Sequence, residues 1–363
     1  MKRKIAIFTG ARSEFGIMKN LIKRIDADLD LDYSLYVSGM HLLKGFGDTF
    51  KEIEAEGIAI HFKIPIYTEN KAPDSKEFSN AITAFSEVLS KDQPDGVFII
   101  GDRPEAYAMA LAAHFNKVKV YHSGGGTITK GAVDNIYRYN ITNLSTHHLT
   151  TSIMNYERLL SLPTVNKEDV YFTGSVAIDA IFDFLKHPVH ISDHINGLEK
   201  NFCLMTFHAV TQNKENIAEI MNVAIETILK NNFKILITYP NNDPGYQEIL
   251  EIINKWESNP DICVVENLGS KRYYAAMYSC DFVIGNSSSG IIEAPYFNKP
   301  VINIGTRQEG READDNIISI NANTINVKNV LNKKFNEGWK PINNNNIYGK
   351  GEAMEQILKI LKK

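Results

Sequence analysis

Short apolar runs alternate with longer stretches of helical period through most of the chain. No other feature constrains the fold as tightly, because this is the pattern of parallel α/β layers. Strand-like runs fall at residues 4–8, 33–37, 59–62, 96–100, 118–121, 148–150 and 170–172, with helical segments at 16–25, 78–89, 103–115 and 154–160. The plan then starts again, with strands at 202–206, 234–238, 262–265, 282–284 and 301–304 and helices at 215–229, 246–256, 273–279 and 290–297. At 363 residues the chain suits two domains of roughly 150 residues each. Periodicity lapses at 185–196, beside Pro188 and Gly197, which places the join there. The expected architecture is two α/β domains facing a central cleft, residues 1–185 and 186–345, followed by a terminal segment 346–363. In that segment Met354, Ile357, Leu358 and Leu361 share one helical face that should dock on a domain.

Composition excludes several classes of function. The net charge of −4 gives no global basic field for nucleic acid or an anionic membrane. No apolar run approaches the ~20 residues of a membrane-spanning helix. After Met-Lys-Arg-Lys only a few apolar residues precede Arg12, too few for a signal-peptide core. Cys203, Cys263 and Cys280 are odd in number and far apart, so they read as buried reduced thiols of a cytoplasmic protein.

In open parallel sheets ligands bind beyond the carboxyl ends of the strands, and several segments occupy that position. The run Gly285-Asn286-Ser287-Ser288-Ser289-Gly290 follows a strand and opens a helix, so its hydroxyls and free N–H groups suit an anion such as phosphate. The alternative is a single serine acting as helix cap, which leaves the other two unexplained. Thr9-Gly10-Ala11-Arg12-Ser13-Glu14 ends the first strand similarly; Arg12 is either a forked diphosphate ligand or a solvent-facing arginine beside a Ser13 cap. Neither G-x-x-x-x-G-K-[ST] nor G-x-G-x-x-G occurs, so ATPase and NAD-dependent readings lose their usual support.

Asp102 is either an N-cap or a carboxylate aimed into the cleft. Gly124-Gly125-Gly126 after a strand lets backbone approach a ligand, or is a plain turn. Asp134 and Arg138, four apart, suit a helical ion pair. His208 ends the first strand of the second half, where a cationic or acid/base imidazole would face the cleft. His187, His190 and His194 have ligand-like spacing but lie in the expected linker with no cysteine or paired carboxylate to complete a metal shell.

Together these segments resemble, over nearly the whole length, the hydrolysing UDP-N-acetylglucosamine 2-epimerases of sialic acid and legionaminic acid biosynthesis. The resemblance is carried by Thr9-Gly-Ala-Arg-Ser-Glu-Phe-Gly16, Gly39-Met-His-Leu42, Gly101-Asp102-Arg103 and Thr206-Phe-His-Ala-Val-Thr211. It continues through Tyr239-Pro-Asn-Asn-Asp-Pro-Gly245, Gly285-Asn-Ser-Ser-Ser-Gly290 with Glu293-Ala-Pro295, and Asn303-Ile-Gly-Thr-Arg-Gln-Glu-Gly-Arg311. It implies a GT-B-like fold of two Rossmann-like domains, with the last helix returning to the N-terminal one. It also implies a cytoplasmic homo-oligomer (dimer or tetramer) that takes a UDP-sugar and needs neither metal nor other cofactor.

By the same resemblance Asp102, Asp134 and His208 are catalytic. Arg12, Asn241, Ser287, Ser288, Ser289, Gly290 and Glu293 bind UDP, Glu293 through the ribose hydroxyls. His41, Arg103, Glu105, Gly124, Thr127, Arg307 and Arg311 belong to the sugar side or have no assigned role. Family members remove the proton at sugar C2 and expel UDP from C1, giving a glycal, then add water with inversion at C2. One departure stands out: relatives carry His-x-x-Gly-Gly-Glu where this chain ends in Thr127, and Gly124 replaces a residue that is acidic or polar in some of them. Threonine cannot serve as a carboxylate base, so either Asp102, Asp134 or Glu105 covers that task or the reaction has drifted. Ala11 and Ala209 are milder changes from threonine and proline. Two other functions suit the same residues, a UDP-sugar glycosyltransferase and a catalytically silent sugar-nucleotide-binding protein.

Overall fold

Strands of a parallel sheet covered on both faces need apolar residues without alternation, and Ile5, Ala6, Ile7 and Phe8 meet that demand, none of them more than 1% exposed. In the computed structural model of the chain the described residues are 2–44, 48–67, 75–128, 134–210, 215–240, 245–339 and 344–363. They divide into two units. The first comprises β1 (Arg3–Thr9), α1 (Arg12–Asp26), β2 (Leu31–Ser38), α2 (Phe50–Ala55), β3 (Phe62–Ile64), α3 (Ser75–Asp92), β4 (Gly96–Ile100), α4 (Pro104–Phe115), β5 (Lys119–Ser123), α5 (Asp134–Leu144), β6 (His147–Thr150), α6 (Ile153–Leu160) and β7 (Val170–Phe172). The chain passes to the second unit between residues 180 and 181, within α7 (Val176–Lys186).

The second unit comprises β8 (Phe202–Thr206), α8 (Ile217–Lys230), β9 (Lys234–Thr238), α9 (Tyr246–Trp256), β10 (Ile262–Val265), α10 (Gly269–Ser279), β11 (Phe282–Gly285), α11 (Ser288–Ile292), β12 (Val301–Ile304), β13 (Ile317–Ile320) and α12 (Thr324–Glu337). Residues 348–363, including α13 (Ala353–Leu361), belong to the first unit.

The first sheet has seven parallel strands in the order β3-β2-β1-β4-β5-β6-β7, the second six in the order β10-β9-β8-β11-β12-β13. In each the order reverses once, between β1 and β4 and between β8 and β11. At such a point the loops beyond the two strands diverge to opposite faces and leave a crevice. The first core lies on both faces of its sheet, with Phe15, Met18, Leu35 and Ile357 on one and Phe8, Phe85, Met109 and Ile141 on the other. The second gathers Phe207, Met221, Ile225, Ile253 and Phe282.

Helix α13 buries Met354, Ile357 and Leu361 against the first core. Its start is fixed by Asp179 of α7, which accepts the Ala353 N–H at 3.0 Å and the Met354 N–H at 2.7 Å.

Several features differ from the sequence expectation, among them these. The ladder expected at 59–62 begins later: Ile58 and Ile60 pack on the core, His61 N–H reaches the Leu35 carbonyl at 3.1 Å, and β3 runs on to Ile64. The helix expected at 290–297 breaks after α11, and Pro295 opens a separate 3-10 turn, Ala294–Phe297, because proline lacks the N–H that continuation needs. Cys263 is only partly buried, unlike Cys203 and Cys280. No helix of the described residues is long and apolar enough to cross a membrane.

Candidate active site

In the first unit the switch-point loops are those after β1 and β4. The turn after β1 is braced by Glu14, whose Oε2 accepts the N–H groups of Gly10 at 2.7 Å and Ala11 at 3.2 Å. Ala11, not Ser13, occupies the N-cap position of α1. Arg12 is exposed and pairs with Glu52 at 2.8 Å.

On the β4 side, Glu105 is buried and accepts from the Tyr67 hydroxyl at 2.9 Å and from Arg103 Nε at 2.5 Å. Burial, reinforced by the Glu105 charge, pushes the Glu14 carboxyl up to about 8. His41 is fully buried within hydrogen-bond reach of the Thr9 and Thr49 hydroxyls, at 3.0 and 2.8 Å. Burial, with the Arg103 charge adding, holds its imidazole down at about 4, so it is neutral at pH 7.

Asp102 is not a cap. Arg103 takes the N-cap position of α4 and Pro104 the first helical one, leaving the Asp102 carboxylate to pair with the buried guanidinium of Arg138 on α5. The same guanidinium donates to the Thr127 carbonyl at 2.8 Å, so Asp102 and the threonine of the glycine-rich loop share one cation. Asn155 Nδ2 donates to the Thr127 hydroxyl at 2.9 Å, and Arg158 donates to the Gly126 carbonyl. Gly124 turns with φ +94°, a left-handed conformation that favours glycine. Asp134 is the exposed first residue of α5, one turn before Arg138. His122 on β5 donates from Nε2 to the Gly101 carbonyl at 2.8 Å, steadying the loop that carries Asp102; burial holds this imidazole near 4 as well.

In the second unit the switch-point loops follow β8 and β11. A Cβ on Gly285 (φ +142°) would fall 1.9 Å from the Thr206 carbonyl oxygen, so only glycine lets these strand ends meet. The next residue, Asn286, is fully buried. Its Oδ1 accepts the His208 N–H at 2.7 Å and its Nδ2 donates to the His208 carbonyl at 2.8 Å. The Asn286 carbonyl accepts from Gln308 Nε2 at 2.9 Å and Arg307 Nη1 at 3.3 Å, so one asparagine ties three loops together.

His208 is buried, and burial together with the Arg307 charge depresses its imidazole to about 3. It is therefore neutral, which removes the cationic alternative and leaves the acid/base one: a second positive charge beside Arg307 away from water is disfavoured. Ser287 is the N-cap residue of α11 but makes no side-chain capping bond, so the single-cap alternative fails. The Ser289 hydroxyl instead hydrogen-bonds with Ser287 Oγ at 3.1 Å and the Tyr273 hydroxyl at 2.5 Å. Ser288 and Gly290 lie in the same first turn. Glu293 closes α11, and burial raises its carboxyl to about 7. Arg311 donates its backbone N–H to the Gln308 carbonyl at 3.2 Å. A small cavity is lined by Thr206, Tyr273, Gly285, Ser287, Gly290 and Asn303. Asn241 lies outside the described residues.

Among the described residues no group of three or more His, Cys, Asp or Glu side chains converges as metal ligands. His190 of the rival histidine cluster rests against the Tyr278 ring, centroids 5.2 Å apart. Sequence reasoning did not single out Arg138 as the partner of Asp102, nor Glu14, His122, Asn286 and Tyr273. Apart from Glu14, which braces the turn three and four residues before it, their contacts span long sequence separations, and Glu14 and Asn286 stood inside quoted segments.

The two sheets, with polar clusters at both switch points, define an α/β chain of the GT-B-like class. A profile of the UDP-N-acetylglucosamine 2-epimerase family matches residues 23–362. A hydrolysing UDP-N,N'-diacetylbacillosamine 2-epimerase of Legionella pneumophila is 32% identical over 367 residues, covering 100% of this chain and 96% of the relative. A hydrolysing GDP/UDP-N,N'-diacetylbacillosamine 2-epimerase of Campylobacter jejuni is 35% identical over 335 residues, covering 89% of this chain and 86% of the relative. Among solved structures, the Neisseria meningitidis UDP-GlcNAc 2-epimerase bound to UDP-GlcNAc superposes with a TM-score of 0.81 at 20% identity, covering 99% of both chains. The chain belongs to the UDP-N-acetylglucosamine 2-epimerase family.

Proposed function

We propose that the protein is a hydrolysing 2-epimerase of a UDP-2-acetamido sugar, releasing UDP and the free, C2-inverted, mannosamine-type sugar. The observation that carries the reading is the full-length likeness to the Legionella and Campylobacter enzymes, supported by an ion-paired carboxylate at the first switch point and a serine cluster at the second. Their names favour a UDP-2,4-diacetamido-6-deoxy sugar as donor, with UDP-N-acetylglucosamine the second substrate to try.

In this reading Asp102 takes the proton from sugar C2 as the C1–O bond breaks. The C–H electron pair becomes the C1=C2 double bond, and the leaving oxygen keeps its own pair on UDP. A C–H group is a weak acid, so a base fixed in one orientation matters. The Arg138 guanidinium supplies that fixation. Charge growing on the diphosphate is met by the N–H groups at the start of α11, by Ser287, Ser288 and Ser289, and by Arg12. Asn241 and Gly290 complete the UDP contacts, and Glu293 accepts the ribose hydroxyls. Water then adds its oxygen at C1 and releases a proton to solvent, a proton relayed from solvent through Asp134 enters C2 on the opposite face, and Asp102 gives up the proton it took. His208, neutral, donates a hydrogen bond on the sugar side. His41, Arg103, Glu105, Gly124, Thr127, Arg307 and Arg311 either contact the sugar or have no assigned role.

The test is incubation with each of the two UDP-sugars and no acceptor, followed by chromatography for UDP and mass spectrometry for the free sugar. UDP and free sugar in equal amounts are expected from at least one donor. No UDP from either would remove the reading.

A further inference from the structure

Two groups of hydrogen-bonded hydroxyls lie in the second unit, a pair and a run of three. Thr238 Oγ1, at the end of β9, lies 2.5 Å from Thr206 Oγ1 at the end of β8. The hydroxyl of Tyr273 on α10 sits 2.5 Å from Ser289 Oγ, itself 3.1 Å from Ser287 Oγ. Thr206, Tyr273 and Ser287 all line the small cavity at this end of the sheet.

A hydroxyl owns one proton, so the donor directions along such a chain are linked. When Tyr273 donates to Ser289, the Ser289 proton is committed outward, to Ser287 or to an anion at the start of α11. Successive donors also polarise one another, strengthening the last bond. Burial and the nearby Glu293 charge keep the Tyr273 phenol protonated, as a donor must be. Remove that phenol oxygen and Ser289 keeps only the Ser287 hydroxyl, which can donate or accept, so the Ser289 proton is no longer directed outward.

We infer that Tyr273 is a positioning residue that orients the Ser289 hydroxyl to donate to the diphosphate of a bound nucleotide. The inference rests on the proposed UDP contact of Ser289.

It is tested by calorimetric titration of the intact protein with UDP and with uridine, for Tyr273→Phe, Ser289→Ala and the double variant. Tyr273→Phe should weaken UDP about tenfold, the scale of one hydrogen bond to a charged group, and leave uridine binding unchanged. The double variant should bind UDP no more weakly than Ser289→Ala alone. Wild-type UDP affinity in Tyr273→Phe overturns the inference. So does a double variant whose loss is the product of the two single losses, or equal weakening of uridine and UDP. Full UDP affinity in Ser289→Ala would instead remove the UDP contact on which the inference stands, so the two failures are distinguishable.

Discussion

Asp102 and Arg138 are 36 residues apart, on a loop after β4 and on α5, yet their side chains form an ion pair whose guanidinium is only 4% exposed. A buried cation with a second acceptor, the Thr127 carbonyl, is held in place and holds its partner in turn. Thr127 thus meets this cation through its backbone carbonyl, and Asp102 meets it through its carboxylate. Asp102→Asn keeps the shape of the side chain and removes its ability to take a proton. It should lower turnover by at least about a hundredfold, the usual scale of general-base loss, while UDP affinity by calorimetry stays within about twofold. Retained turnover would show that another group is the base. The ion pair itself was not legible: the spacing of Asp134 and Arg138 pointed to a pair along one helix, and only the packing of α5 against the β4 loop brings Asp102 to Arg138.

At the scale of elements, Asp179 is the residue on which the C-terminal helix depends. Its carboxylate accepts two N–H groups at the start of α13 across 174 and 175 residues of sequence. Asp179→Ala should cost about 1–3 kcal/mol, through the loss of a cap and the burial of unpaired N–H groups. The terminal 348–363 segment should then become the first cleaved in limited proteolysis, and an unchanged cleavage pattern would contradict the assignment.

The same scale shows what sequence reading reaches. The strands at 96–100, 202–206, 234–238, 262–265 and 301–304 were legible because buried parallel strands are continuous apolar runs with abrupt polar ends. Strand β13 and helix α12 were not. Ile317–Ile320 is only partly buried at the sheet edge, and α12 buries just Val327 and Leu331. The positions of the candidate residues at strand ends were legible, but Tyr273, which reaches the serine cluster from α10, was not marked by any motif.

For the whole molecule the buried titratable groups set the pH dependence of stability. His41, His122 and His148 are held near 4 and His208 near 3, against 6.5 when unfolded. Their contribution is complete above pH 6.5 and is lost as pH falls toward 4. Glu14 and Glu293 are raised to about 8 and about 7 from 4.5, so their contribution is complete below pH 4.5 and is lost as pH rises through 8. Between 4.5 and 6.5 four histidines outweigh two carboxyls and stability climbs with pH; from 6.5 to 8 only the carboxyls titrate and it declines. Thermal melts should show a maximum near pH 6.5 and a loss on the order of 1–3 kcal/mol by pH 8.5. Glu14→Gln should flatten the alkaline side, and a wild-type melting temperature still rising above pH 7 would contradict these burial effects.

In the proposed reaction the C2–H bond of a UDP-2-acetamido sugar breaks and re-forms while UDP leaves. Reaction in deuterium oxide with UDP-N,N'-diacetylbacillosamine or UDP-N-acetylglucosamine, read by proton NMR of the released sugar, tests it most directly. The expected product carries one deuterium at C2 with inverted configuration. Free UDP accompanied by a sugar that keeps its original hydrogen and configuration at C2 would contradict the account and point to simple hydrolysis or glycosyl transfer.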